Sequence, residues 1–152
     1  NREGVTGIGG EYQFSWDPIK LLGFSGSYTY LDMSDKRGDP ILYRSKHRGQ
    51  LYINFQHKII NIKIGVQGWS KQKYEDFLSH NYQIIDNKTI FPIKKLPERI
   101  IHTLIISRKF SNCFSGSIHI FNLFDTKYEL IQDFSMPGRT WQFKLTKTIT
   151  KE

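Results

Sequence analysis

The amino-acid sequence predicts an all-β chain of about seven antiparallel strands. Hydrophobic and polar residues alternate with a period of two over long stretches, whereas the helical period of about 3.6 is absent at useful length. Aromatic residues make up 14% of the 152 residues, and such side chains suit a pleated, half-buried surface. The connections between the predicted strands alternate between short and long, which indicates a sheet with simple turns at one end and long loops at the other.

Each predicted strand follows from this alternation. In the stretch from residue 60 to residue 67, Ile60, Ile62, Ile64 and Val66 oppose Asn61, Lys63, Gly65 and Gln67. The fifth strand is ambiguous, because Ile101, Thr103 and Ile105 compete with Leu104 and Ile106 for the apolar face. The strands are predicted at about residues 3–16, 20–33, 44–56, 59–73, 98–110, 114–124 and 137–149.

The lengths of the connections give the sheet an orientation. Residues 17–19, 57–58 and 111–113 form short connections. The long connections are named here L1 (residues 34–43), L2 (residues 74–97) and L3 (residues 125–136). Bacterial outer-membrane barrels have short periplasmic turns, longer extracellular loops and strands that alternate apolar and polar residues. The pattern therefore predicts antiparallel transmembrane β-barrel strands, with the C-terminus on the periplasmic side.

Hydropathy is compatible with this architecture. The mean hydropathy is −0.47, and no apolar run approaches the roughly 18 residues of a membrane helix. Tyr28, Tyr30 and Trp69 lie near the loop ends of their strands and are candidates for an aromatic girdle, although Tyr and Trp also occupy ordinary cores. Alternation alone does not decide which face points outward. A small complete outer-membrane barrel with a structural or adhesion role and a soluble ligand-binding β-barrel therefore remain as alternatives.

The strand count predicts that this chain is part of a larger barrel. Single-chain bacterial barrels have an even number of strands, and an open sheet edge in lipid leaves unpaired backbone groups that each cost several kcal/mol. The sequence begins at Asn1 rather than at Met, and its first residues lack the pattern of a signal peptide. We therefore expect further strands upstream of Asn1, unless one strand of a small barrel has been missed.

Other function classes find little support. The net charge is +8, but the basic residues are scattered, and the chain has no nucleic-acid-binding signature. Cys113 is the single cysteine, so no internal disulfide is expected. The five histidines lack metal-ligand spacing and no G-x-S-x-G motif is present, so we predict no enzyme, no cofactor and no metal site. Asp32, Asp35 and Asp39 could suggest calcium, but a polar surface loop explains them better.

One segment near the C-terminus resembles a known family. The sequence N-L-F-D-T-K-Y followed by M-P-G-R-T-W is similar to the C-terminal end of TonB-dependent outer-membrane receptors, where the penultimate strand runs into N-L-F-D-x-x-Y and the last strand begins with P-G-R and an aromatic residue. The matching positions are Asn122, Leu123, Phe124, Asp125, Tyr128, Pro137, Gly138, Arg139 and Trp141. Segments 24–32, 42–55 and 96–110 are also similar to the family, so the resemblance covers nearly the whole chain.

The motif has a physical interpretation, and the sequence departs from the family at one point. Asp125 is expected to cap the backbone where its strand ends, and Gly138 after Pro137 is expected to permit a sharp re-entry into the sheet. Arg139 is placed to pair with a carboxylate at the barrel rim. We therefore expect a structural role for the motif. The family usually ends on an aromatic residue, whereas Ile149 stands near that position here.

The resemblance implies an architecture and a transport function. Residues 1–152 would be the C-terminal segment of a barrel of about 22 strands, with the plug domain and the signal peptide outside this chain. Such a receptor takes up a scarce ligand across the Gram-negative outer membrane with energy supplied through TonB. The ligand classes are ferric siderophores, haem, cobalamins and oligosaccharides.

The resemblance also implies partners. These are the TonB complex, acting through the missing N-terminal part, outer-membrane lipids and lipopolysaccharide, a small-molecule or glycan ligand, and a surface lipoprotein, with no nucleic acid. Aromatic, basic and imidazole side chains in and beside the long loops are the expected ligand contacts, with His80 the candidate for an iron chelate or haem. They are Tyr43, Arg44, His80, Tyr82, Phe91 and Lys94.

Overall fold

The computed structural model describes residues 4–85 and 87–148. In these ranges the chain forms β1 (Val5–Ile19), β2 (Leu22–Asp35), β3 (His47–Gln56), β4 (Ile60–Trp69), β5 (Gln72–Glu75), β6 (Gln83–Ile85), β7 (Lys88–Ile90), β8 (Ile93–Leu96), β9 (Arg99–Lys109), β10 (Phe114–Phe121), β11 (Glu129–Ile131), β12 (Phe134–Ser135) and β13 (Thr140–Lys147). Seven of these strands form one sheet in the order β1-β2-β3-β4-β9-β10-β13, and every neighbouring pair is antiparallel. The predicted all-β antiparallel fold is confirmed.

Two predicted strand ends lie outside the described residues, namely the start of the first strand at residue 3 and the end of the last strand at Ile149. None of the described residues belongs to a helix that is long and apolar enough to cross a membrane.

The register separates the sheet into two chemically different faces. A continuous row of large apolar side chains crosses all seven strands on one side, which we call the apolar face: Trp16, Phe24, Ile53, Ile64, Leu104, Ile120 and Trp141. On the other side, the polar face, Gln13, Ser27, Gln50 and Gln67 share a row. The ambiguity in the fifth predicted strand is thereby resolved, because Leu104 and Ile106 lie on the apolar face.

The polar face is the concave one. Two large hollows lie over it, of about 530 and 500 Å³, and polar-face residues such as Gln13, Gln50 and Lys144 line them. On the opposite, convex side Trp141 is 56% and Phe143 is 72% exposed. A soluble ligand-binding barrel would place its apolar residues inside, whereas a transmembrane barrel places them outside, toward lipid. The curvature therefore favours the membrane barrel.

Several strand ends differ from the predictions. β1 continues through Pro18, so the first turn lies at Lys20 and Leu21 rather than at residues 17–19. Proline is tolerated there because the β1–β2 pairing has a register shift between Trp16 and Ile19, which leaves Pro18 outside the regular ladder. β4 ends at Trp69 rather than at residue 73. β10 ends at Phe121, because the next residue, Asn122, has a left-handed backbone with φ of 51°.

The long connections are more ordered than loops. Within L2 and its flanking residues, β5 pairs with β8 and β6 pairs with β7, and in L3 β11 pairs with β12. These short hairpins pair backbone groups that irregular loops would leave to water. In L1 the carboxylate of Asp35 accepts hydrogen bonds from the backbone N–H groups of Arg37 and Asp39, at 2.9 and 3.0 Å. Asp35 therefore shapes the turn, as expected for a polar surface loop.

Aromatic residues flank the apolar face at its loop end. The hydroxyl of Tyr28 lies 2.6 Å from Nδ1 of His47, and the Tyr30 ring lies 5.2 Å from the His47 ring. These side chains form a short polar-aromatic border above the apolar row, as in an interfacial girdle. Trp69 does not belong to this border, because its register with Arg48 and Arg99 places it on the polar face.

Candidate functional site

The family-like motif joins the two ends of L3, and Asn122 is its centre. This side chain is only 3% exposed. Its Nδ2 donates to the carbonyl oxygens of Thr126 and Pro137, at 2.9 and 3.4 Å, while its Oδ1 accepts from the Thr126 N–H at 2.9 Å. One amide therefore connects the end of β10 with the approach to β13. Asparagine also tolerates the left-handed backbone found at this position.

Asp125 and Gly138 form the second link across L3. Oδ1 of Asp125 accepts a hydrogen bond of 2.7 Å from the backbone N–H of Arg139. A Cβ atom at Gly138 would lie 2.5 Å from the same Oδ1. Gly138 is not among the residues with positive φ, so glycine is required here for space and not for a turn conformation. Glycine at position 138 was expected to permit a sharp re-entry of the chain into the sheet. In the structure it is needed instead because the Asp125 carboxylate approaches it closely.

The remaining motif residues extend the pairing and cover the apolar side. The N–H of Leu123 donates to the His102 carbonyl at 2.9 Å, and the Phe124 ring packs edge-on against the His102 ring at 4.7 Å. The Tyr128 carbonyl accepts from the Met136 N–H at 3.0 Å, and Trp141 pairs with Ile120 in the apolar row. These contacts fit the structural role expected for the motif.

A second buried amide, not singled out from the sequence, connects the long loops. Gln72 is 4% exposed. Its Oε1 accepts from the Ser45 hydroxyl at 3.3 Å and from Nη2 of Arg99 at 3.0 Å, and its Nε2 donates to the Leu130 carbonyl at 2.6 Å. Gln72 therefore ties the chain beside L1 to L3 and to the start of β9. Its partners are 27 to 58 residues distant in sequence. No local sequence pattern therefore indicated that Gln72 would be a buried link.

Asp76 connects L2 and L3 in a similar way. Its side chain is 5% exposed, and its carboxylate contacts the Lys94 ammonium at 2.6 Å and the Gln132 amide at 2.9 Å. The hydrogen bonds from Lys94 and then from Gln132 hold the pKa of Asp76 below its ordinary value of 3.8. Lys94, predicted as a ligand contact, is thus engaged in an ion pair that organises L2.

L2 should lose part of its order in acid. Because folding lowers the pKa of Asp76, its stabilising contribution is complete above about pH 4 and disappears as the pH falls through the lowered folded value. Hydrogen exchange corrected for the intrinsic rate should show stable protection of residues 76–94 between pH 7 and pH 4, and a loss below that range. Asp76→Asn should reduce protection at pH 7 and abolish the acid-dependent loss. Amides of β3 are the internal control, and an unchanged pH profile in Asp76→Asn would contradict the role of this carboxylate.

The predicted ligand contacts fall into two groups. Tyr43 and Arg44 line a hollow of about 400 Å³ at the loop end of the polar face. The rings of Tyr82 and Phe91 lie 6.0 Å apart within L2, next to the ring of Phe77, and His80 is exposed in the same loop. The structure therefore brings aromatic residues together in L2 and places the basic residue Arg44 over the concave side.

The described part of the chain contains no preformed metal site. No group of three or more His, Cys, Asp or Glu side chains there could hold a metal ion.

Comparison with known proteins identifies the fold. No family model and no curated protein sequence matches the chain. Its structure is similar to that of the pyoverdine outer membrane receptor FpvA from Pseudomonas aeruginosa PAO1 bound to pyoverdine, with a TM-score of 0.76, 14% identity, and coverage of 95% of this chain and 22% of that one.

Two further solved structures agree with this match. The ferric-catecholate import receptor Fiu from E. coli K12 gives a TM-score of 0.71 at 13% identity, over 94% of this chain and 21% of that one. The copper transporter OprC gives a TM-score of 0.72 at 14% identity, over 94% of this chain and 23% of that one. The chain thus spans about a fifth of the length of the solved structures it matches. The seven-stranded sheet has the fold of part of the β-barrel of TonB-dependent outer-membrane receptors.

Proposed function

We propose that this chain supplies seven strands of the barrel of an outer-membrane receptor that imports a scarce ligand. The observation that carries the proposal is the apolar row that crosses every strand of the large sheet on its convex side. Such a row is stable in lipid and costly in water, where its side chains would remain exposed. The similar solved structures support the same function, since those proteins are receptors and transporters for pyoverdine, ferric catecholate and copper.

The proposed receptor is larger than this chain. Residues 1–152 would form its C-terminal segment, with the plug domain and the signal peptide elsewhere in the protein. In the described residues β1 and β13 lie at opposite edges of the sheet, which supports closure of the barrel by other strands. The long loops would face outward and the C-terminus would lie in the periplasm. The TonB complex would act on the N-terminal part.

The loops are the proposed place of recognition. Tyr43 and Arg44 over the concave side, and His80, Tyr82, Phe91 and Lys94 in L2, would contact a ferric siderophore, haem, a cobalamin or an oligosaccharide. The aromatic grouping of Tyr82 and Phe91 supports this assignment, because exposed rings present flat apolar surfaces to a ligand. Lipopolysaccharide would surround the rim, and a surface lipoprotein would cover the loops.

Outer-membrane fractionation of the source cells tests the proposal. An antibody against residues 74–97 is used to blot boiled and unboiled membrane samples. We expect an outer-membrane band several times larger than 17.9 kDa that changes mobility on boiling. A soluble band near 17.9 kDa would contradict the receptor and would favour a small soluble β protein.

A further inference from the structure

A row of charged and aromatic side chains lies on the polar face just below the long loops. The register places Thr29, Arg48, Trp69 and Arg99 side by side on β2, β3, β4 and β9. The guanidinium carbon of Arg48 lies 5.6 Å from the centre of the Trp69 ring, and that of Arg99 lies 5.3 Å from it. Trp69 therefore separates two positive charges on the concave side and interacts favourably with both.

Arg99 is buried but incompletely satisfied. It is 6% exposed, and its Nη2 donates to Oε1 of Gln72 at 3.0 Å. Nε and Nη1 are also buried, and no residue in the described part of the chain accepts a hydrogen bond from either. A guanidinium removed from water is stable only when its charge and its donors are compensated. The contact with Trp69 offsets part of the charge but occupies neither donor.

The surroundings of Arg99 are positively charged. The hollow of about 400 Å³ that it lines also contains Arg44, Lys46 and Arg48, and no Asp or Glu is among the described residues that line it. Lys46 is already paired with Asp32. The other cations leave a positive potential in a concave site, which attracts anions. We call this site the cationic hollow.

We propose that the cationic hollow binds an oxyanion group, a carboxylate or a phosphate, of the imported ligand, with Arg99 as the primary donor. In a guanidinium, Nε and Nη2 form the fork that matches two oxygens of a planar carboxylate or of a phosphate, and Nη2 carries a second N–H for the bond to Gln72, while Nη1 is a further donor on another edge. Gln72 fixes the fork by accepting from Nη2, and Trp69 holds the plane of Arg99 on one side. Arg48 adds a second charge across the indole. The proposal rests on the proposed receptor function and narrows its ligand to an anionic compound.

Fluorine NMR of the full-length receptor tests this binding site. The protein is labelled with 5-fluorotryptophan and purified in detergent, and the Trp69 signal is assigned with Trp69→Phe. Sodium phosphate and sodium citrate are then titrated at constant ionic strength against sodium chloride. We expect a saturable shift of the Trp69 signal with phosphate or citrate but not with chloride, while the signals of Trp16 and Trp141 on the apolar face stay constant.

Three variants separate the site from general charge effects. Arg99→Gln should weaken the apparent affinity about tenfold or more, and Arg99→Lys should weaken it less, because lysine keeps the charge but loses the fork. Arg108→Gln is the matched control, since Arg108 lies on the same strand but on the apolar face near the short turns, and it should bind as the unaltered protein does. A heat-dependent shift in gel mobility confirms folding of each variant.

The outcomes distinguish the two proposals. If the fluorine signal of Trp69 shifts with neither anion, the proposed anion site is wrong. Such a result would indicate that another segment of the receptor already accepts the hydrogen bonds of Arg99. An equal shift in Arg99→Gln would also overturn it. Either result leaves the receptor function intact, because outer-membrane location is measured separately by fractionation.

Discussion

Replacement of Ile64 by lysine is expected to remove most of the folded protein from the outer membrane. Ile64 lies in the middle of β4, within the apolar row, and is 43% exposed on the convex side. A lysine on the lipid face near the bilayer midplane costs about 2–4 kcal/mol. If this face contacts water instead, the same change should be nearly neutral, because exposed substitutions usually alter stability by less than about 0.5 kcal/mol.

The same strand provides the control. Asn61 lies on the polar face of β4 and is exposed, and Lys63 already occupies that face next to Ile64. Asn61→Lys adds the same charge to the same strand without placing it in lipid. The measurement is the amount of receptor in the outer membrane that shows a heat-dependent mobility shift. Equal amounts for Ile64→Lys and Asn61→Lys would contradict a lipid-facing apolar row.

Asn122→Ala is expected to lower the free energy of unfolding by about 2–3 kcal/mol. The substitution removes the buried amide that bonds to Thr126 and to the Pro137 carbonyl. The N–H of Thr126 and the two carbonyl groups would then lack these partners, and unsatisfied groups that stay away from water are costly. The chain between β10 and β13 would lose the link that fixes its two ends. Denaturant unfolding of the full-length protein in detergent gives the value directly.

Asn87→Ala separates the hydrogen bonds from the backbone effect. Asn87 has a left-handed φ of 59°, close to the 51° of Asn122, but it is exposed in the turn between β6 and β7. Both substitutions lose the tolerance of asparagine for this conformation, and only Asn122→Ala loses the buried network. Equal destabilisation by the two changes would show that backbone conformation alone accounts for the effect.

The faces of the sheet could be predicted because a strand has only two of them. Ile64 and Lys63 are neighbours with opposite character, and a period of two assigns them to opposite sides without further information. The assignment of faces from the sequence failed in β9, where apolar residues lie on both sides of the strand. Ile101 is 7% exposed on the polar face, and its burial reflects a location near the loops rather than a place in the apolar row. The sequence pattern therefore left the fifth strand undecided.

The candidate site could be predicted only in part. The resemblance to receptors indicated the residues of the motif but not their physical reasons, as Gly138 illustrates, since its neighbour in space is Asp125. The sequence did not indicate Gln72 and Arg99 as site residues, because their roles depend on contacts between segments far apart in the chain. A buried polar cluster of this kind follows from the tertiary arrangement and has no local sequence pattern.

The links between the long loops determine where the protein could accept a foreign peptide. Gln72 connects the chain beside L1 with L3, and Asp76 connects L2 with L3, so an epitope tag inserted near either residue would disturb more than one of the long connections. The β6–β7 hairpin pairs only within itself among the described strands, and its turn is exposed at Asn87. A reporter peptide or a fluorophore attachment site for live-cell imaging therefore belongs at this turn.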